Sequence, residues 1–226
     1  ATPAEIFAAH QQADVPLMLG FTRDEAFRSL GPVSDGAGYA EAIRRAFPAT
    51  ADQVLAVYPV AQDGGVARAV ADVQRDSSVG AQMAALASAQ VRNGTAPVYA
   101  WEFARVHPYL PGVHFSDHDP ATVGAYHSGD VPYWLGTLDS FNSLRPTRGW
   151  TALDRVLSAR MMAAIIAFVR GGAPAADWPR FDPTHPEVMG LGDVIGPKPW
   201  PHFADLPLFA DASVTPTAPA RPRVRD

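Results

Sequence analysis

The pattern of apolar and polar positions divides this chain into helical and extended pieces. Val15-Pro-Leu-Met-Leu19 is an apolar run that stops at Gly20 and turns into a polar cluster, Thr22-Arg-Asp-Glu25. Such a run predicts a buried strand over Val15–Leu19, ending in a loop that presents carboxylates. Ahead of it, residues 1–14 predict a short helix with Thr2 as N-cap and Pro3 at the first helical position. From Tyr39 to Phe47 apolar residues recur at i, i+4 and i+8, a helical period that Pro48 stops. Residues 50–58 predict a second short helix stopped by Pro59, and Asp63-Gly-Gly65 predicts a turn. Val66 to Val91 is alanine-rich and helical in pattern, with a break near Asp76-Ser-Ser78, and reads as scaffold packed on a sheet.

Asn93-Gly-Thr95 ends that stretch. Pro97-Val-Tyr-Ala-Trp-Glu-Phe103 then alternates and is rich in aromatics, which predicts a strand. Residues 104–126 read as a loop. The strongest helical signal is Trp150–Arg170. Thr151 and Asp154 have capping-box spacing there, and Arg170-Gly-Gly172 ends the helix. Leu153, Val156, Leu157, Met161, Ala164, Ile165 and Phe168 fall on one face. That face is expected to cover a sheet beside the preceding loop, with Met161 and Met162 as core residues rather than a pocket lining. After Trp178-Pro-Arg-Phe-Asp182 the chain is proline-rich, with short apolar pieces at 187–195 and 206–209. The expected organisation is one domain over residues 1–214 and a Pro/Arg-rich tail over 215–226, extended or disordered.

Composition narrows the possibilities. The chain has 226 residues, 47% of them hydrophobic, enough for a sizeable core. The net charge of −5 argues against a nucleic-acid partner, which favours basic faces. No apolar run approaches the roughly 18 residues needed to span a bilayer. Residues Ala1-Thr-Pro-Ala-Glu5 carry neither the basic nor the apolar region of a signal peptide. There are no cysteines, so disulfides, thiolate metal sites and a cysteine nucleophile within these residues are excluded. Lys198 is the only lysine, which with the wealth of alanine and proline suggests a GC-rich bacterial gene.

The candidate chemistry centres on Gly124-Ala-Tyr-His-Ser-Gly-Asp-Val-Pro-Tyr-Trp-Leu-Gly136. Small neighbours let His127 sit on a tight turn with its ring accessible. Histidine titrates nearest neutrality and so suits proton transfer. Such a base needs an acid to fix its tautomer, and both Asp24 and Glu25 lie at the end of the first strand. Asp130 follows His127 on the same turn. It reads as an acid supporting the histidine loop, or alternatively as the triad acid itself, a role its place on the same turn fits poorly. Tyr133, Trp134 and Phe141 are candidate walls of a pocket for an apolar substrate. His107, His114, Asp117, His118 and Asp119 cluster in the proline-containing loop. Three of them, His114, Asp117 and His118, could meet one ion, but the spacing matches no zinc motif and the cluster reads as a solvated rim. No cofactor or metal is expected.

Four motifs in order resemble the type-B carboxylesterase and cholinesterase-like family. They are Leu19-Gly-Phe-Thr-Arg-Asp-Glu-Ala26, Pro97–Phe103, Gly124–Tyr133, and Val169-Arg-Gly-Gly-Ala-Pro174 followed by Trp178-Pro179. An acid after one strand and a histidine after the next is also the order of α/β-hydrolases. The resemblance implies Glu25 as triad acid and His127 as triad base, and their separation of 102 residues fits it. It implies the last strands of a mostly parallel sheet with helices on both faces, the C-terminal part of an α/β-hydrolase. The expected substrate is a small carboxylic ester. The family's Gly-x-Ser-x-Gly nucleophile and Gly-rich oxyanion loop are not found in these residues. The nearest pieces are Asp76-Ser-Ser-Val-Gly80 and Val33-Ser-Asp-Gly36. The serine and the oxyanion hole are therefore expected on an N-terminal part of the same esterase that lies outside these residues, or on a second chain. The alternative is a binding module that keeps the fold without the chemistry.

Overall fold

The computed structural model describes residues 1, 3–25, 30–60 and 65–209. The expected 215–226 tail, the proposed Thr2 cap and most of the 63–65 turn lie outside the described residues. In chain order the elements are α1 (Pro3–Ala8), β1 (Leu17–Thr22), α2 (Gly36–Ala46), α3 (Ala51–Val57) and α4 (Gly65–Arg75). A π-helical turn, Asp76–Gly80, leads into α5 (Ala81–Asn93) and β2 (Val98–Phe103). Two short helical turns, α6 (Val131–Trp134) and α7 (Leu138–Phe141), precede the long α8 (Ala152–Gly171). The chain closes with β3 (Glu187–Leu191), β4 (Ile195–Pro199) and a 3₁₀ segment, Phe203–Phe209.

The four strands lie in the order β1-β2-β3-β4. β1 and β2 pair in parallel from Leu17↔Val98 to Thr22↔Phe103, β2 and β3 pair in parallel, and β4 returns antiparallel to β3. β1 thus starts later and runs further than the apolar run suggests. Val15 is exposed, and pairing with β2 carries the strand through Gly20. A Cβ at Gly20 would lie 2.2 Å from the Trp101 ring, so glycine there permits the close approach of β2 rather than ending the strand.

The pleat sorts side chains to two faces. Leu19, Phe21, Val98, Ala100 and Val188 pack under α5 with Phe181, Trp200 and Leu206. Tyr99, Phe103, Met189 and Leu191 pack under α8, against Leu157, Met161 and Ala164. A separate cluster joins α2, α3 and α4 through Tyr39, Ile43, Val54 and Val73. The α8 capping box forms as its spacing predicts: Asp154 N–H donates to Thr151 Oγ1 at 3.4 Å and Thr151 N–H donates to Asp154 Oδ2 at 2.8 Å. Gly172, at φ 75°, closes the helix. Val156 departs from the expected face and is 60% exposed. It stands one helical step round from Leu157, which the sheet buries fully.

Candidate active site

The C-terminal ends of the parallel strands β1 and β2 bring two distant loops together. Arg23 N–H continues the ladder by donating to the Phe103 carbonyl at 2.8 Å. Asp24 then brackets the second loop: its N–H donates to the Ala125 carbonyl at 3.0 Å, and Ala125 N–H donates to its Oδ2 at 2.7 Å. Gly124, at φ 66°, lies so close that a Cβ there would fall 2.2 Å from Asp24 Oδ2. Arg23 and Arg68 also donate to the Asp24 carboxylate. Burial works against its charge, but these partners hold Asp24 below the usual carboxylate range.

With the loops so fixed, Glu25 meets His127. The Nδ1–H of His127 donates to Glu25 Oε1 at 2.6 Å, and Thr22 N–H donates to Oε2 at 3.1 Å. The glutamate side chain is 6% exposed and the imidazole 58%. The carboxylate therefore holds Nδ1 of a ring that is more than half exposed. Burial pushes the Glu25 carboxyl up, and the negative charge of Asp130 adds to this against the hydrogen bonds from His127 and Thr22. His127 rides a turn closed by Gly129 N–H donating to the Tyr126 carbonyl at 2.9 Å. Ser128 occupies the turn position where a positive φ favours glycine, at φ 66°.

Asp130 opens α6, and Trp134 Nε1–H donates to its Oδ2 at 3.0 Å. Burial raises its carboxyl. The carboxylate bonded to His127 is thus that of Glu25, while Asp24 staples the loops and Asp130 lies close enough to act on Glu25 through its charge.

Among the described residues, the three expected pocket aromatics lie in different surroundings. Tyr133 is fully buried in the core under α8, its ring 5.1 Å from Phe103 and its hydroxyl donating to Asp154 Oδ1 at 2.7 Å. A buried core side chain offers no surface to a substrate, so Tyr133 is not a pocket wall. Trp134 is half-buried against Trp101, at 5.3 Å. Phe141 is exposed, but its ring belongs to the cluster of His107 and Trp150, 6.0 Å from each.

The loop of 104–126 is more ordered than its prolines suggest. Residues 108–110 pair with 147–149, through Leu110 N–H to the Thr147 carbonyl at 3.1 Å and Gly149 N–H to the Pro108 carbonyl at 2.7 Å. His107 is buried there, and His118 bonds Asp117 at 2.9 Å. Among the described residues no group of three or more histidine or acidic side chains is placed to hold a metal ion. Of the two serines in the 76–80 stretch, Ser78 donates to the Gln74 carbonyl at 2.6 Å and both are buried. Sequence reasoning passed over Arg148, set His107 in a solvated rim and gave Tyr126 no role; the three contact one another behind the His127 turn. They are far apart in the chain, and no local spacing signals their meeting.

Known proteins resemble this chain in sequence and in fold. Residues 1–195 match the carboxylesterase family. A fumonisin B1 esterase from Sphingopyxis macrogoltabida is 29% identical over 203 residues, covering 85% of this chain and 35% of that protein. A solved PNB esterase superposes with a TM-score of 0.62 at 23% identity, over 87% of this chain and 38% of that one. A thermophilic PNB esterase gives 0.61 at 22% identity, over 92% and 41%. The partly parallel sheet, with α5 and α8 on opposite faces, is thus the fold of part of an α/β-hydrolase esterase, and the chain spans well under half the length of these relatives.

Proposed function

The chain belongs to the carboxylesterase family, and from that premise we propose that it contributes the base and the acid of a serine carboxylesterase. The observation that carries this reading is the Glu25–His127 pair, a buried carboxylate on the Nδ1–H of an exposed imidazole at neighbouring parallel-strand ends. In the proposed reaction a serine elsewhere in the same esterase attacks the carbonyl of a small ester. Nε2 of His127 takes the hydroxyl proton as the tetrahedral intermediate forms, then returns it to the leaving alcohol. Glu25 holds the tautomer and balances the imidazolium. Water enters by the same base to release the acid from the acyl-enzyme.

The sheet edges support the position of the remaining part. Among the described residues β1 pairs only with β2, and its six residues include no proline. β4, at the other edge, carries Pro197 and Pro199, which cannot donate to a further strand. The segment with the serine would therefore join on the β1 side, next to the strand that delivers Glu25.

The test is hydrolysis of an activated ester by the intact protein. His127→Ala is expected to remove nearly all turnover, and Glu25→Gln to cost about 10³- to 10⁴-fold with the fold unchanged. Near wild-type activity in a folded His127→Ala protein contradicts the assignment. An intact protein without activity toward esters would point to a binding module instead.

A further inference from the structure

Three side chains that the proposed mechanism leaves unused converge behind the His127 turn. His107 and Arg148 are 3% and 4% exposed. Arg148 Nε–H donates to His107 Nδ1 at 3.1 Å. Arginine only donates, so Nδ1 is the bare nitrogen and the ring proton sits on Nε2. Nε2–H then donates to the Gly129 carbonyl at 2.7 Å. Arg148 Nη2 donates to the Tyr126 hydroxyl at 3.2 Å, and that hydroxyl lies 3.2 Å from His107 Nδ1.

Tyr126 and Gly129 are the first and last residues of the turn that carries His127. One imidazole therefore touches both ends of that turn. The turn needs such a hold, because Ser128 occupies left-handed backbone without being glycine. Gly129 is also packed tightly: a Cβ there would meet the Tyr126 carbonyl at 2.9 Å and His107 Nε2 at 3.5 Å.

Arg148 meets no carboxylate among the described residues. Its guanidinium carbon faces the Tyr109 ring at 4.0 Å and the Phe115 and Phe141 rings at 5.2 Å. A buried cation without an acid is costly, and here its position suits one task, keeping a second proton off His107. Burial lowers the His107 pKa to about 4, with the Arg148 and Arg105 charges adding and the Gly129 bond and Asp154 opposing. Tyr109, Tyr126 and Tyr133 are the other titratable groups around the ring.

We propose that His107, held by Arg148 as the Nε2–H tautomer, is a positioning residue that clamps Tyr126 and Gly129 and so keeps His127 Nδ1 on Glu25. The proposal rests on the reading of His127 as the base. Its test uses nitrogen-15 imidazole spectra of the intact protein, which do not depend on the serine.

In the wild type, His107 is expected to keep its proton on Nε2 and to stay neutral from about pH 5 to pH 8. The His127 Nδ1 proton should resonate far downfield. His107→Leu preserves volume and removes both bonds. It should broaden or abolish that downfield signal and lower kcat at least about tenfold with KM little changed. His107→Gln offers a donor and an acceptor and should restore both readouts. A folded Leu variant with wild-type His127 signals overturns the proposal, as does a Gln variant as damaged as the Leu one. If the Leu variant does not fold, the wild-type spectrum decides: a His107 proton on Nδ1, or titration near neutrality, contradicts the clamp. Loss of the esterase reading alone would appear as absent turnover with these imidazole signals intact.

Discussion

Asp24 and Glu25 are neighbours of similar chemistry whose surroundings send them to different tasks. Asp24 is ringed by Arg23, Arg68 and the Ala125 N–H and stays ionised as a staple. Glu25 is raised by burial, and the charge of Asp130 raises it further. The proposed mechanism needs Glu25 ionised, so on acidification this carboxyl would lose its charge at a higher pH than an ordinary glutamate. Asp130→Asn removes the like charge and should lower the Glu25 pKa, read as a shift of its carboxyl carbon-13 titration to lower pH. A titration that stays in place or moves up would contradict this coupling. The bare sequence places Asp24 and Glu25 equally well at the end of β1. The contact that separates them spans 102 residues, so no local pattern could choose. Tyr133 shows the converse: beside a candidate base it reads as a pocket wall, yet the turn of α6 points it into the core, which only packing reveals.

The best-signalled element is α8, because a capping box is local and its residues are close in sequence. Thr151→Ala should cost about 1 kcal/mol of stability in denaturant unfolding. Asp154 does more than cap. It is fully buried and accepts from Arg105 at 2.7 and 3.1 Å, from Thr151, and from the Tyr133 hydroxyl. Asp154→Asn breaks a buried ion pair and should cost about 3 kcal/mol. Burial opposes the Asp154 charge, but Arg105, Thr151 and Tyr133 together hold the carboxyl well below the usual range. Its stabilising contribution is therefore complete above the ordinary carboxylate pKa of about 4 and is lost as pH falls toward the folded value. In the Asn variant the acid side of the stability profile should flatten. A wild-type-like profile in that variant would contradict the assigned role. β3 and β4 were not legible as strands: each is five residues long, with Gly190, Gly196, Pro197 and Pro199 among them. Their pairing is set by β2 and by the reversal between them rather than by alternation.

For the whole molecule, the edge of β1 is the telling feature. An unpaired edge without proline invites further pairing. The 226-residue chain expressed by itself is expected to self-associate, and light scattering from a monodisperse monomer would contradict that view of β1. The sequence motifs carried the family and its mostly parallel sheet. They could not carry the site as a whole, because its loops are joined by the Asp24–Ala125 bracket and by packing around Arg148, contacts made only on folding. In the proposed reaction Glu25 and His127 serve a serine outside these residues. Fluorophosphonate labelling of the intact protein, with the adduct mapped by mass spectrometry in wild type and in His127→Ala, tests it most directly. An adduct on a serine beyond this chain is expected, with labelling slowed at least about 10³-fold in the variant. An adduct on a serine within these residues, or labelling indifferent to His127, would contradict it.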